Sequence, residues 1–258
     1  MRILQISRRV PGRPPHQVLF WWTFVRGLVL AFLILAYRII RRGREHVPAH
    51  GPIIYVANHQ SHYDPPIVGV LVTDRPFSGM ARATLFKSKF LSWAMRGIGV
   101  IALDQTKPDA GAMKAAIEEL NAGRCVLIFP EGTRTADGAI GQFQRGVMLL
   151  IKRSRAQVVP VAIEGAFDIW RIGQEKPKLT GRIGVKAAPA ISADELLKDG
   201  PDVGLERLKR QIETMRLELR AELRRASHGR YPAPGAADQP YWQQEATAPS
   251  TSHFAPSE

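Results

Sequence analysis

Cysteine is nearly absent from this sequence, and the one that occurs is badly placed for chemistry. Cys125 is the single cysteine among 258 residues, so no disulfide can form within the chain. Its position in the apolar run 125–129 favours a small buried side chain over a nucleophile. A disulfide-stapled scaffold is therefore excluded and a cysteine-based enzyme is disfavoured, while the redox compartment is left open.

Acidic residues are missing from the start of the chain, where none precedes Glu45. The whole chain carries 36 Lys and Arg against 23 Asp and Glu, a net charge of +13, which implies an anionic partner. Arginines bracket the apolar, tryptophan-containing stretch 18–37, and no nucleic-acid-binding motif is recognisable. We therefore expect a phospholipid membrane surface as the partner, and no nucleic acid.

The apolar stretch 18–37 is predicted to be a helix that anchors the protein to a membrane. A cleaved signal peptide is disfavoured because no small-residue cleavage site follows it. Its length just permits a single span, but Arg26 near its centre would cost ~2.5–3.5 kcal/mol there. We expect residues 1–44 to anchor the protein, peripheral or monotopic, on the cytoplasmic face of the cell membrane. A single-pass span and an ordinary buried helix remain the alternatives.

Turn-forming residues and apolar runs divide the rest of the chain into alternating strands and helices. Strands are expected at 53–57, 97–103, 126–129, 158–163 and 183–187, and helices from residue 67, at 109–122 and at 146–153. This alternation predicts an α/β fold, with a single mixed β-sheet flanked by helices behind the N-terminal apolar anchor. The folded domain is expected at 45–227.

A charged amphipathic helix is expected at 204–226, where apolar residues recur at spacings of three and four. It can pack on the domain, form a dimer seam or make a second membrane contact, and the sequence leaves these alternatives and the oligomeric state open. Residues 228–258 are rich in Pro, Ala, Ser and Gln, and we expect a disordered tail.

The first polar motif, 58–64, follows the apolar run 53–57. In a turn, the spacing of His59 and Asp64 lets the carboxylate reach one ring nitrogen while the other faces a cleft. A histidine so held is suited to general-base chemistry near neutral pH. A satisfied loop histidine and a helix-capping Asp64 are the alternatives. His62 suggests a metal site with His59, but no further cluster of ligands supports one, so no metal is expected.

The second polar motif, 129–134, follows the apolar run 125–129. Gly132 lets backbone amides approach a ligand closely, Thr133 can donate a hydrogen bond, and Arg134 can clamp a phosphate. Glu131 is expected to orient Arg134 or another cation, or to hydrogen-bond an acceptor hydroxyl. The alternative is a turn with a surface ion pair.

Together the two motifs resemble those of the 1-acylglycerol-3-phosphate acyltransferase family, the glycerophospholipid acyltransferases. The likeness covers roughly residues 43–189. It rests on residues 58–64, on 129–134 with the following segment 141–146, on 159–163, and on 99–104. Gln105 stands where an arginine is common in that family, and Arg82 stands where a lysine often contacts the phosphate.

The resemblance implies an acyltransferase that moves a fatty acyl group from an acyl thioester donor to the free hydroxyl of 1-acylglycerol 3-phosphate, forming phosphatidate. His59 would be the general base and Asp64 its partner. The phosphate site would be formed by Glu131, Gly132, Thr133, Arg134, Arg82 and Lys87. No cofactor is implied, since the coenzyme A or acyl carrier protein thioester is a substrate. A different acceptor (glycerol 3-phosphate, another lysophospholipid or an amino-lipid), a lipid-ester hydrolase and a non-catalytic lipid-binding protein are the alternatives.

Overall fold

The structure, a computed structural model, describes residues 16–72, 75–82, 101–103 and 110–243. Within them, seven strands form one sheet in the order β1-β7-β6-β2-β5-β3-β4. The strands are β1 Ile40–Arg42, β2 Ile53–Ala57, β3 Phe77–Arg82, β4 Ile101–Leu103, β5 Cys125–Ile128, β6 Gln157–Glu164 and β7 Gly184–Ala187.

Helices connect most of the strands. They are α1 His16–Tyr37, α2 Asp64–Leu71, α3 Ala110–Asn121, α4 Gly146–Ser154, α5 Ala166–Ile169, α6 Ala193–Leu197 and α7 Pro201–Ala226, with short 3-10 helices at Arg44–His46 and Ala236–Asp238. The long α7 begins at a proline, which suits the first turn of a helix because its missing N–H would have no partner there.

Five neighbouring strands, β6, β2, β5, β3 and β4, run parallel, whereas β7 runs antiparallel to β6 and β1 runs parallel to β7. The sheet is therefore mixed and flanked by helices, as predicted. The five parallel strands have their carboxyl ends at one edge of the sheet, and connections that leave this edge can meet in space.

The central strand β2 is buried on both faces, which explains its uninterrupted apolar sequence. Tyr55 points to a core that α1 and α2 cover, and Ile54 to a core that α4 and α7 cover. Helices on both faces of the sheet thus hold the C-terminal end of β2 in place. This burial makes the strand a rigid support for whatever follows it.

The C-terminal half of the proposed anchoring segment belongs to the folded domain. Leu33 and Tyr37 of α1 lie in the core, and β1 pairs with β7 through Ile40–Arg42. The predicted domain boundary after residue 44 is therefore wrong, because a strand and a buried helix face lie before it. Within the residues that the structure describes, no helix is long and apolar enough to cross a membrane.

The segment after α7 differs from the predicted disordered tail. Residues 228–243 pack against the domain, with Ala237 and Tyr241 buried. The carbonyl oxygen of Ala237 accepts a hydrogen bond of 2.9 Å from Arg216. Composition alone misled the prediction here, because buried arginines of α7 supply donors that order a polar segment. Residues 244–258 lie outside the described residues.

The remaining differences involve short elements. β1, β3, α5 and α6 are absent from the sequence prediction, while the other predicted strands and helices have bounds within a few residues of those observed. β1 has only three residues and is charged, and β3 contains Gly79, so neither shows a strand pattern. Their pairing partners in the sheet, rather than local propensity, decide their conformation.

Candidate active site

Both polar motifs lie at the sheet edge where the parallel strands end. β2 ends at Ala57 and its neighbour β5 ends at Ile128. The register pairs Val56 with Ile128, so the two connections leave the sheet at nearly the same level. The crevice outside the carboxyl ends of such strands is where α/β folds bind ligands.

His59 and Asp64 form the hydrogen-bonded pair that their spacing predicts. Nδ1 of His59 lies 2.7 Å from Oδ2 of Asp64. An ionised carboxylate can only accept, so Nδ1 carries the proton and Nε2 is left as an acceptor. Asp64 has no exposed side-chain surface, whereas 20% of the His59 side chain is exposed. The imidazole is thus reachable from solvent while its carboxylate partner is sealed from it.

The turn between the two residues wraps around the Asp64 carboxylate. The backbone N–H groups of Gln60 and Ser61 also donate to Oδ2, at 2.5 and 2.7 Å. These donors offset the cost of burying a charge. Asp64 does not cap α2 through its side chain, because Tyr63 occupies the N-cap position. Oδ2 thus binds both the turn and the imidazole, whereas Oδ1 is buried and has no hydrogen-bond partner among the described residues.

Phe129 fixes the plane of the imidazole from the second motif. Its ring stacks on that of His59, with the centroids 4.1 Å apart and the planes 17° apart. A histidine held in plane by stacking and at Nδ1 by a carboxylate has little rotational freedom left. The direction of Nε2 is therefore set before any substrate arrives.

Glu131 joins the two motifs. Its Oε1 accepts the backbone N–H of His59 at 2.7 Å, and its Oε2 accepts that of Gly141 at 2.8 Å. A side chain at position 141 would collide with this carboxyl, since a Cβ there would lie 2.8 Å from Oε2. Both oxygens thus bind backbone, and the expected use of Glu131 to orient a cation or an acceptor hydroxyl is not what these contacts show.

The environment of Glu131 shifts its titration. Desolvation by burial raises the pKa of its carboxyl from the usual 4.5 to about 7, and the nearby charge of Asp64 acts in the same direction. The two backbone donors and Lys209 lower the pKa but do not offset the burial. The hydrogen bonds by which Glu131 joins the two motifs are therefore sensitive to pH near neutrality.

The expected phosphate site is described only in part. Gly132 and Thr133 are exposed and Arg134 is half-buried in the loop after β5, and Gly132 has a φ of +71°, which favours glycine. Arg82 is the last residue of β3, at the same sheet edge, but its side chain lies outside the described part of the structure. Lys87 lies outside the described residues altogether.

Asn58 and Gln60 anchor the loop on either side of His59. The Asn58 side chain donates to the carbonyl of Ile163 at 2.9 Å and accepts its N–H at 2.8 Å, which extends the pairing of β2 with β6 by a side chain. The Gln60 amide donates to the carbonyl of Gly138 at 3.0 Å. The histidine is thus held between two buried amides.

A buried ion cluster, which the sequence analysis missed, lies behind Gln60. Glu164 at the end of β6 binds Arg216 and Arg220 of α7 at 2.7 Å each, and Arg216 also binds Glu213. The Gln60 amide reaches Glu164 at 3.5 Å. Arg216 lies one helical turn from Ile212, on the apolar face of α7. An arginine among the apolar residues of an amphipathic helix is the sequence signal that could have indicated a buried ion pair.

Aromatic rings line the other side of the loop. Tyr63 contacts Phe32 of α1 and Trp170, with ring centroids 6.3 and 5.1 Å apart, and His62 packs on Trp170 at 4.7 Å. His62 is therefore part of an aromatic cluster. Among the described residues, no three His, Cys, Asp or Glu side chains gather as metal ligands would. The loop that carries His59 thus rests directly on the N-terminal helix.

Cys125 lies at the opposite end of β5 from the second motif. It is buried, and burial raises the pKa of its thiol. A thiol that is harder to ionise is a poorer nucleophile. This position agrees with the expected structural role.

Comparison with known proteins gives consistent results. The Acyltransferase family model matches residues 38–164. The chain is 33% identical over 142 residues to the chloroplastic 1-acyl-sn-glycerol-3-phosphate acyltransferase LPAT1 of Arabidopsis thaliana, covering 54% of this chain and 39% of that one. It thus spans about two fifths of that relative's length.

A bacterial relative matches over more of its length. The 1-acyl-sn-glycerol-3-phosphate acyltransferase of Pseudomonas aeruginosa is 30% identical over 216 residues, which cover 81% of this chain and 79% of that one. The crystal structure of the acyltransferase PlsC from Thermotoga maritima superimposes with a TM-score of 0.61 over 77% of this chain and 94% of that chain, at 23% identity, and shares its fold. The chain therefore belongs to the 1-acylglycerol-3-phosphate acyltransferase family.

Proposed function

We propose that the protein transfers a fatty acyl group from an acyl thioester to the free hydroxyl of 1-acylglycerol 3-phosphate, forming phosphatidate. The observation that carries this proposal is the joining of the two motifs: Glu131 of the second binds the backbone of His59 in the first. A general base and the Gly-Thr-Arg loop of the second motif are thereby held in one fixed arrangement. The names of the relatives favour the same acceptor.

In this reaction His59 Nε2 takes the proton of the acceptor hydroxyl as its oxygen attacks the thioester carbonyl. The new C–O bond forms, the C–S bond breaks, and the proton passes from the imidazolium to the departing thiolate. Asp64 stabilises the imidazolium through the 2.7 Å hydrogen bond at Nδ1. No covalent acyl-enzyme is needed, and the buried Cys125 takes no part.

The acceptor phosphate is assigned to the loop after β5. Arg134 supplies a positive charge, and Gly132 and Thr133 supply exposed backbone and hydroxyl groups. Arg82 at the end of β3 and Lys87, five residues later in the sequence, are assigned to the same site. Holding the phosphate here places the free hydroxyl near His59, which lowers the entropic cost of reaching the transition state. Glu131 supports this site through the backbone.

We also propose that α1 lies in the surface of a phospholipid bilayer. Phe24, Leu28 and Phe32 recur at one-turn spacing on its exposed face, while Leu33 and Tyr37 face the core. Because Phe32 touches Tyr63 beside Asp64, this face brings the active-site loop to the lipid boundary. The arginines before Glu45 add attraction for the anionic cytoplasmic leaflet, where we place the protein as a peripheral or monotopic enzyme.

A panel of donors and acceptors tests the reaction directly. Purified full-length protein is assayed in mixed micelles with acyl-coenzyme A or acyl carrier protein thioesters and with 1-acylglycerol 3-phosphate, glycerol 3-phosphate, an uncharged 1-acylglycerol and an amino-lipid. We expect transfer to 1-acylglycerol 3-phosphate to exceed the others. Faster use of another acceptor would change the assignment of the substrate, and thioester hydrolysis without transfer would overturn the reaction.

A further inference from the structure

A cleft of about 620 Å³ lies away from the active site, between the C-terminal ends of α1 and α7 and the turn 179–182. Its lining includes four basic residues, Arg38, Arg182, His228 and Arg230, and two leucines, Leu35 and Leu179. None of the described residues that line it is acidic. A cleft with this lining is suited to an anionic group.

The basic side chains of the cleft differ from the arginines close by. Arg42 binds Glu222, and Arg220 and Arg224 share Asp238. In the part of the chain that the structure describes, Arg182 and Arg230 make no side-chain hydrogen bond or ion pair. Glu222 and Asp238 are thus paired with other arginines, and Arg182 and Arg230 keep an uncompensated positive charge in the cleft.

The rim of the cleft is apolar and continuous with the exposed face of α1. Leu35 and Leu179 are 83% and 79% exposed, unusually high values for leucine. Leu35 follows Leu28 and Phe32 on the same helical stripe. A cleft that opens beside this stripe would lie at the level of the lipid head groups when α1 rests on a bilayer.

Backbone conformation adds an independent observation. Arg38 and His228 have φ values of 47° and 52°, in the left-handed region that ordinarily favours glycine or asparagine after a helix. They are two of the three residues other than glycine with positive φ in the described chain, and both line the cleft. Arg38 and His228 thus place basic side chains at two positions where glycine would be the unstrained residue.

We propose that this cleft binds the phosphate-bearing head group of an anionic phospholipid in the bilayer on which α1 lies. Arginine suits this ligand because its planar guanidinium can donate two parallel hydrogen bonds to a phosphate. The inference rests on the proposed membrane association of α1 and is independent of the acceptor's identity. The bound lipid would orient the protein on the surface without entering the active site.

Flotation of the full chain with vesicles tests the proposal. The variant Arg182→Gln/Arg230→Gln is compared with wild type on neutral phosphatidylcholine vesicles and on vesicles containing phosphatidylglycerol. Each basic residue near an anionic surface contributes about fivefold in affinity, so we expect roughly a 25-fold loss on anionic vesicles and no change on neutral ones. Arg182→Lys/Arg230→Lys keeps the charge but loses the bidentate contact, so its affinity for anionic vesicles should lie between those of wild type and the Gln variant.

The matched control is Arg153→Gln/Lys198→Gln, which removes the same charge from exposed positions on α4 and just after α6. Equal losses in the two double variants would show diffuse attraction and overturn the site. Calorimetric binding of glycerol 3-phosphate to wild type, with no vesicles present, that is lost in Arg182→Gln/Arg230→Gln would assign the cleft to a soluble ligand and overturn the lipid.

The same experiment separates this inference from the proposed function. Wild-type protein that floats with neither vesicle overturns the membrane association and the cleft together. Wild-type protein that floats normally while the cleft variant floats equally well overturns the cleft alone. Acyl transfer between short-chain soluble substrates should be the same in wild type and the Arg182→Gln/Arg230→Gln variant, because neither residue belongs to the active site.

Discussion

The carboxyl of Glu131 accepts the backbone N–H of His59 at 2.7 Å, across 72 positions of the chain. The second oxygen of the same carboxyl accepts the N–H of Gly141. An acidic residue in a loop expected to bind phosphate would repel that ligand if its charge faced the site. Here the charge is buried and turned toward backbone donors, which reconciles its presence with an anionic acceptor.

Glu131 gives the protein a stability that depends on pH. Its pKa is about 7 in the folded state and usually 4.5, so the folded state holds an extra proton between these values. The contribution is fully present below pH 4.5 and is lost as pH rises through 7. The unfolding free energy of wild type minus that of Glu131→Gln should be larger at pH 5 than at pH 8, by up to roughly 3 kcal/mol. Urea unfolding at both pH values measures it, and a constant difference contradicts the shift.

His59→Ala should lower acyl transfer by ~10²–10⁴-fold, the usual contribution of a general base. Asp64→Asn should also lower it, because the amide no longer stabilises the imidazolium. Turnover of 1-acylglycerol 3-phosphate in micelles measures both effects. Circular dichroism and vesicle flotation serve as controls and should match wild type for His59→Ala. Near-normal turnover in that variant removes His59 from its role.

Arg134→Ala should mainly weaken the use of phosphorylated acceptors, because a charge-assisted contact to the phosphate is lost. We expect at least a tenfold rise in KM for 1-acylglycerol 3-phosphate, with little change for the acyl donor. Saturation curves for each substrate separate the two. Arg153→Ala, at an exposed position on α4, is the control. An unchanged acceptor curve together with a shifted donor curve would move Arg134 to the donor site.

Glu164→Gln should destabilise the fold by about 3–5 kcal/mol, because Arg216 and Arg220 lose a buried partner. Asp202→Asn, which breaks an exposed pair with Arg145, should cost less than ~1 kcal/mol. Urea unfolding compares the two variants. Equal, small costs would show that the buried cluster adds little to the fold.

Phe24→Ser/Leu28→Ser should lower vesicle affinity by at least tenfold, because each apolar side chain buried in lipid contributes ~1.5–3 kcal/mol. Salt should not reproduce this loss, since only the charge attraction is screened. The control is Leu149→Ser/Val203→Ser, exposed apolar positions on α4 and α7. These replacements spare the buried side of α1, which a deletion through Arg42 would remove. Unchanged flotation would place the membrane contact elsewhere.

Much of the central sheet follows from sequence alone. β2 was predicted with its observed bounds because a strand buried on both faces has no polar interruptions. The pairing of His59 with Asp64 was predictable for a related reason: it is local, and a turn of that length brings the side chains together. Local sequence patterns were therefore enough to predict both β2 and the His59–Asp64 pair.

The parts that sequence did not predict depend on distant contacts. Glu131 was expected to face ligand or cation, but its partners are backbone groups of a loop 72 positions away and of Gly141. Arg216 and Glu164 are ordinary charged residues until the fold brings them together. The segment 228–243 has a composition typical of disorder, and arginines of α7 nonetheless order it. Such contacts between distant residues produce no periodic pattern in the sequence from which they could be predicted.

The position of β5 between β2 and β3 has a consequence for folding during synthesis. β2 and α2 emerge early, with His59 and Asp64 already close in sequence, but the strands that flank β2 come much later. Phe129 and Glu131 must be inserted beside it, and Ile163 must then arrive to bind Asn58. Contacts of such long range form slowly. A nascent chain that stops before β5 would carry the reactive pair without Phe129 and Glu131, and one that stops before β6 would still lack Ile163. Catalytic competence is therefore acquired only when most of the sheet is complete.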